Sequence, residues 1–207
     1  MTRVSYPEAL CRIVHSSWML YFYLSMKITI YTDGSSRGNP GRGGWAAIVM
    51  TPEEIIELGG RENMTTNNRM ELMGAIEGLK HVNGRQQTTD NRQQKDSGLM
   101  SDVSWLKSVE ILTDSQYVKK GMTEWIDGWI KRGWKGSTKK PVLNQDLWME
   151  LKKEEDRLKS GGVNVVWTYV PAHVGVTMNE RADTIATSCA DASDLQLYRG
   201  PKSDYIL

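Results

Sequence analysis

The sequence predicts an α/β fold in which a mixed β-sheet is flanked by helices. Three observations carry that expectation. Strand-type alternation recurs at residues 27–32, 45–50 and 54–59 before any helical pattern begins, so the chain opens with an antiparallel meander. From there strand and helix patterns alternate in the order β-β-β-α-β-α-α-α-β-α, which implies helices on the faces of a sheet with parallel strands. The 207 residues suffice for one compact core and are short for two.

Each element has its own local signal. Lys27-Ile28-Thr29-Ile30-Tyr31-Thr32 alternates polar and apolar β-formers and is expected to end in a turn at Asp33-Gly34, which Gly38-Asn39-Pro40-Gly41 continues. The second and third strands join around Pro52. Thr65-Thr66-Asn67-Asn68 are all capping residues, and Leu72, Ala75, Ile76 and Leu79 follow at helical spacing, so a helix starts there. Residues 83–102 lose periodicity and are polar, which predicts an inserted mobile loop. A short apolar strand at 109–113 ends on Asp114, and Ser115-Gln116 opens a helix. Further helices are expected at 123–132 and 144–159, a strand at 163–169 and a last helix from Thr177, with Ala182, Ile185, Ala186 and Cys189 on one face.

Composition excludes several classes. With 26 Lys plus Arg against 25 Asp plus Glu, the net charge of +1 offers no global attraction to a polyanion, so only a local patch can provide one. Two cysteines, Cys11 and Cys189, make no disulfide framework and point to a reducing, cytoplasmic setting. No apolar run approaches the roughly 20 residues of a membrane span. The aromatic-rich stretch at 18–24 is too short, and no small-residue cleavage site follows it. Met26 directly precedes the first strand and is a candidate start of translation. Residues 1–25 are therefore expected to be an extension outside the catalytic core, 26–192 the catalytic domain and 193–207 a tail.

Four acids stand where packing would not choose a carboxylate. Asp33 and Asp114 fall at expected strand ends, and Glu71 and Asp183 lie on helices beside the apolar stripe. Asn67 precedes Glu71 by four residues and Asn179 precedes Asp183 by four, so each helical acid has a neutral hydrogen-bonding neighbour. Taken singly, each acid reads as a cap, a turn former or a solvated charge. Taken together, clustered carboxylates repel unless cations separate them, and hard oxygen ligands suit Mg²⁺.

Four segments in order resemble the signature segments of type 1 ribonuclease H. They are Thr32-Asp33-Gly34-Ser35, then 66–72 around Glu71, then Thr113-Asp114-Ser115-Gln116-Tyr117-Val118, and finally His173-Val174-Gly175 through Asn179-Glu180-Arg181-Ala182-Asp183. The resemblance runs from about Lys27 to Ala190 and implies a five-stranded mixed sheet, three strands antiparallel and then parallel. It implies an endonuclease that cuts the RNA strand of an RNA-DNA hybrid and leaves 5′-phosphate and 3′-hydroxyl ends. Asp33, Glu71, Asp114 and Asp183 would hold two Mg²⁺ ions, with Mn²⁺ able to substitute, and a monomer is expected.

The same resemblance makes His173 an accessory catalytic residue for proton handling or product release. Pro171-Ala172 precede it where many relatives carry Lys-Gly. Asn39, Asn67 and Gln116 match groove-reading residues, and each can both donate and accept toward a sugar hydroxyl or base edge. Gly34 would let backbone approach the 2′-hydroxyl, and Ser35, Thr66 and Asn179 join the expected substrate contacts. Lys119, Lys120, Lys131, Arg132, Lys135, Lys139 and Lys140 face only Glu124 and Asp127 in one segment, a local +5 interleaved with Trp125, Trp129 and Trp134. This resembles the family's basic protrusion along the DNA strand, with Lys131, Arg132 and Lys135 on phosphate, Trp125 lining the DNA channel and Trp129 in the core. The fourth acid and the His173 loop speak against a transposase-like core, the length against an attached polymerase, and the full set of acids against a hybrid binder without catalysis.

Overall fold

The computed structural model describes residues 27–96 and 106–206. The expected extension at 1–25, and the part of the inserted loop from 97 to 102, lie outside the described residues.

A six-stranded sheet forms the centre, in the order β5-β4-β1-β2-β3-β6. Strands β1 (Lys27–Gly38), β2 (Gly41–Met50) and β3 (Glu54–Thr65) form the expected antiparallel meander. Strands β4 (Ser108–Thr113) and β5 (Asn164–Tyr169) extend the sheet in parallel from β1. The sixth strand, β6 (Arg199–Pro201), pairs antiparallel with the outer edge of β3 and corrects the expected count of five. Three residues with Gly and Pro show no alternation, and Pro is tolerated there because the strand lies at an edge.

The helices are α1 (Asn67–Asp96), α2 (Gln116–Lys120), α3 (Ile126–Lys131), α4 (Gln145–Ser160) and α5 (Thr177–Asp191). A π-helical turn at Gly121–Trp125 joins α2 to α3, so the two helices expected there form one continuous run. Helix α1 overturns the expected loop from residue 83 to 96. Polarity removes the amphipathic signal, but Arg, Gln and Lys are good helix formers and extend a helix already nucleated by its buried first half.

Strand β1 also runs past Asp33-Gly34, where a turn was expected. Ser35 pairs with Gly44 and Arg37 with Arg42, and the reversal comes only at Asn39-Pro40. Gly34 is needed in the strand because α1 presses on it: a Cβ there would lie 2.1 Å from the Glu71 nitrogen.

The main core fills one face of the sheet, with Ile28, Ile30, Leu72, Ile76, Leu79, Ile111, Trp148 and Leu151 buried together. A smaller cluster on the other face joins Ala46, Ile48 and Ile55 to Ala182, Ile185 and Ala186 of α5. Among the described residues, no helix is long and apolar enough to cross a membrane.

Candidate active site

The parallel half of the sheet sets the level of the site. Thr32 is paired with Thr113, the last residue of β4, so Asp33 and Asp114 emerge side by side where parallel pairing stops. Glu71 comes from the first turns of α1, drawn against β1 by the absence of a side chain at Gly34. Oxygen atoms of Asp33, Glu71 and Asp114 all lie within 4.8 Å of one another. Asp183, from α5, lies near enough to this trio for its charge to act on the Asp33 carboxyl, and Thr187 donates to Asp183 Oδ1 at 3.5 Å.

Neutral donors orient the acids. Asn67 Nδ2 reaches Glu71 Oε1 at 3.3 Å, and Asn179 Nδ2 reaches Asp114 Oδ2 at 3.0 Å. The pairing of Asn179 with Asp183, expected from their spacing, is thus replaced by a long-range contact. Helix spacing places two residues on one face, but the other element packed there decides which acid the amide meets.

Electrostatically the cluster is strained. Burial, and then the charges of Asp114 and Asp183, raise the Asp33 carboxyl to about 8, against a weaker opposing pull from the Gly34 N–H. Burial, and then Asp33 and Asp114, push Glu71 well above the usual carboxylate range. Glu71 Oε2 is buried with no hydrogen-bond partner, and so is Asn179 Oδ1. Crowded, desolvated carboxylates with an unsatisfied oxygen are matched by a hard cation, which offsets the repulsion and supplies the missing partner. The donor set therefore fits a divalent metal.

The other expected residues differ in their exposure. Asn39 is exposed at the β1–β2 turn, Ser35 is half-buried on β1, and Gln116 is exposed at the start of α2. The Thr66 carbonyl accepts from the N–H groups of Arg69 and Met70 at 3.0 and 3.2 Å, starting α1. His173 stands exposed on the loop between β5 and α5 with a left-handed backbone, φ 55°. The neighbouring Gly175 N–H ties that loop to Glu180 at 2.9 Å.

Lys131, Arg132 and Lys135 are exposed, and Arg132 Nε donates to the Lys135 carbonyl at 3.1 Å. Trp125 is half-buried, its ring 6.4 Å from Tyr117 and 5.7 Å from Trp129. Trp129 and Trp134 pack on the main core. The sequence reading missed Tyr117 as the anchor of this segment: its hydroxyl accepts from Trp148 Nε1 at 3.1 Å and from Asn144 Nδ2 at 3.2 Å. It also missed Glu57, whose buried carboxylate binds Arg181 of α5.

A mixed sheet whose parallel strand ends gather buried carboxylates defines a class of enzyme built for cation-assisted phosphoryl chemistry. The RNase H family model matches residues 25–191, and the chain belongs to the RNase H family, whose members are endoribonucleases. The chain is 45% identical to a ribonuclease H of Phenylobacterium zucineum over 163 residues, 79% of this chain and 90% of the relative. It is 44% identical to a ribonuclease HI of Caulobacter vibrioides, covering 79% and 92%. For a ribonuclease H of Pseudomonas fluorescens the identity is 41%, covering 86% of this chain and 100% of the relative. Among solved structures, LC9-RNase H1, a type 1 RNase H with the type 2 active-site motif, superposes with a TM-score of 0.61 at 27% identity, covering 84% and 77%. LC11-RNase H1, solved with an RNA/DNA hybrid, shares the fold at a TM-score of 0.51 and 24% identity, covering 80% and 97%.

Proposed function

We propose that residues 26–192 form the catalytic unit of an endonuclease that cuts the RNA strand of RNA-DNA hybrids, leaving 5′-phosphate and 3′-hydroxyl ends. The observation that carries this is the trio Asp33, Glu71 and Asp114 within 4.8 Å, with a buried Glu71 oxygen lacking a partner. Asp183 completes the set, and the four acids would hold two Mg²⁺ ions, for which Mn²⁺ can substitute. Such a pair supplies Lewis acidity on both sides of an in-line displacement at phosphorus.

The chain's own groups do the rest. Asn67 and Asn179 hold Glu71 and Asp114 in place through neutral amides, which leaves the carboxylates' charge for cations. His173, exposed on the loop leading to α5, serves as an accessory residue for proton handling or product release. Asn39, Asn67 and Gln116 read the minor groove, Gly34 lets backbone approach the 2′-hydroxyl beside the scissile phosphate, and Ser35, Thr66 and Asn179 add substrate contacts. The segment from Lys119 to Lys140 tracks the DNA strand through Lys131, Arg132 and Lys135, with Trp125 lining the DNA channel. A cytoplasmic setting fits the use of two cysteines without a disulfide framework, and the enzyme would act as a monomer.

The test is cleavage of labelled RNA-DNA hybrid, duplex RNA and duplex DNA in parallel, with Mg²⁺, with Mn²⁺ and with chelator. Internal cuts in the RNA of the hybrid alone, abolished by chelator, are expected. Cleavage of duplex DNA at a similar rate, or cleavage that persists in chelator, would overturn the proposal.

A further inference from the structure

Glu57 lies on β3, in the antiparallel half of the sheet, yet its side chain is fully buried. Its carboxylate accepts from four donors: Arg181 Nε at 2.7 Å, Arg181 Nη2 at 2.8 Å, the Tyr205 hydroxyl at 2.6 Å and the Tyr198 N–H at 2.9 Å. Buried ions persist only when such partners compensate their lost hydration. Here the partners come from two other parts of the chain, α5 and the segment after it.

That segment, 193–206, wraps the outer edge of the sheet. Glu57 N–H donates to the Tyr198 carbonyl at 2.8 Å, β6 pairs with residues Glu54 to Ile56, and Lys202 N–H donates to the Glu53 carbonyl at 2.8 Å. The rings of Tyr198 and Tyr205 meet edge to face at 4.9 Å, and with Leu195 they pack against the smaller cluster that joins Ala46, Ile48 and Ile55 of the sheet to Ala182, Ile185 and Ala186 of α5. The segment lies beyond the stretch that the family model matches.

Arg181 sits between Asn179 and Asp183 on α5. Two residues along a helix amount to roughly 200° around its axis, so the guanidinium grips the helix from the side away from the acids. A grip there is useful for two physical reasons. Helix α5 meets β2 through small residues, so close that a Cβ at Gly44 would lie 2.2 Å from the Ala186 carbonyl oxygen, and alanines bury little apolar area. Asp183 also approaches the charges around Asp33, which repel it.

We propose that residues 193–206 are a strap that acts through Glu57 and Arg181 to set the position of α5, and so holds Asn179 and Asp183 against Asp114 and Asp33. Glu57, Arg181 and Tyr205 are positioning residues, and their effect on catalysis rests on the assignment of Asp183 to the metal site. The strap reduces the cation concentration needed to assemble the four acids, because the helix is already in place before a cation arrives.

Full-length Glu57→Gln and Tyr205→Phe test this by two readouts. The first is backbone amide exchange in metal-free protein. Exchange in α5 should be at least tenfold faster in Glu57→Gln and about threefold faster in Tyr205→Phe, with α1 and β4 unchanged. The second is the Mg²⁺ concentration for half-maximal cleavage, which should rise at least threefold while the KM for hybrid stays within twofold. If Glu57→Gln does not fold, Tyr205→Phe decides. Unchanged α5 exchange, or faster exchange spread evenly over all elements with an unaltered Mg²⁺ requirement, overturns the strap. A parent protein that fails to cleave hybrid in Mg²⁺ would instead overturn the nuclease reading, and the exchange result would still report on the strap.

Discussion

The side-chain amide of Asn179 on α5 donates to Asp114 Oδ2 at the end of β4, 3.0 Å away. Asn179 is only 2% exposed, and its own Oδ1 has no partner. The amide fixes the orientation of one carboxylate oxygen without neutralising the group, so orientation and charge compensation are separate tasks here.

Asp114→Asn keeps that shape and removes the charge. A neutral amide oxygen is a poorer ligand for Mg²⁺, and the proposed pair of ions would lose charge balance. The expected fall in kcat is roughly 10³ or more, about 4 kcal/mol of transition-state stabilisation. Hybrid affinity should survive, because the proposed groove contacts and the basic segment do not involve this acid. Single-turnover cleavage and hybrid affinity measured in Mg²⁺ check both parts; cleavage within tenfold of the parent contradicts the assignment.

Asp33→Asn should stabilise the metal-free protein at neutral pH and above. In the folded chain Asp33 is raised from 3.8 to about 8, so the native state holds a proton that the unfolded state has released. The contribution of this group is therefore fully present below about pH 4 and is lost as pH rises through about 8. Glu71 is shifted in the same direction. Thermal melts in chelator should show the parent losing Tm across that window, a flatter profile for Asp33→Asn, and recovery of the parent on adding Mg²⁺. A parent profile that rises with pH across the window would contradict this account of the cluster.

Gly34→Ala should be among the most damaging small substitutions in the chain. The added Cβ would lie 2.1 Å from the Glu71 nitrogen and 2.4 Å from the Met70 carbonyl carbon, and backbone atoms cannot swing aside. A cost of about 3 kcal/mol is expected from such overpacking, with loss of cleavage as Glu71 moves away. Gly84→Ala is the contrast, since nothing lies within 4 Å of its Cβ position. There the better helix propensity should add up to about 1 kcal/mol. Denaturant unfolding of both variants measures the difference.

Replacing Lys131, Arg132, Lys135, Lys139 and Lys140 together by Gln should raise KM and leave kcat within about threefold. Phosphate contacts remote from the reaction contribute uniform binding, and each one lost should flatten the slope of log affinity against log salt by about one. The aromatic anchor of Tyr117 with Trp148 keeps the segment folded. A salt slope equal to that of the parent would show that these groups do not meet the substrate.

Much of this architecture was legible in local pattern. The alternation from Lys27 to Thr32 and the stripe of Leu72, Ala75, Ile76 and Leu79 mark β1 and α1, because side-chain direction repeats every two residues in a strand and every 3.6 in a helix. The second half of α1 was not legible, since its polar residues show no apolar period. Strand β6 was not legible either, because Arg199-Gly200-Pro201 becomes a strand only by finding the edge of β3.

The amino-acid sequence by itself determined the succession of elements, the basic segment and the four acid-bearing stretches, since these rest on residue type and short spacing. Only the tertiary structure decided that Asp33, Glu71 and Asp114 crowd within 4.8 Å, that Asn179 serves Asp114 rather than Asp183, and that Glu57 ties the chain's end to α5. The physical reason is that these contacts join residues tens of positions apart. Strand register, the close approach permitted at Gly34 and Gly44, and the balance of burial against charge select their partners, and none of these is a property of a local stretch of chain.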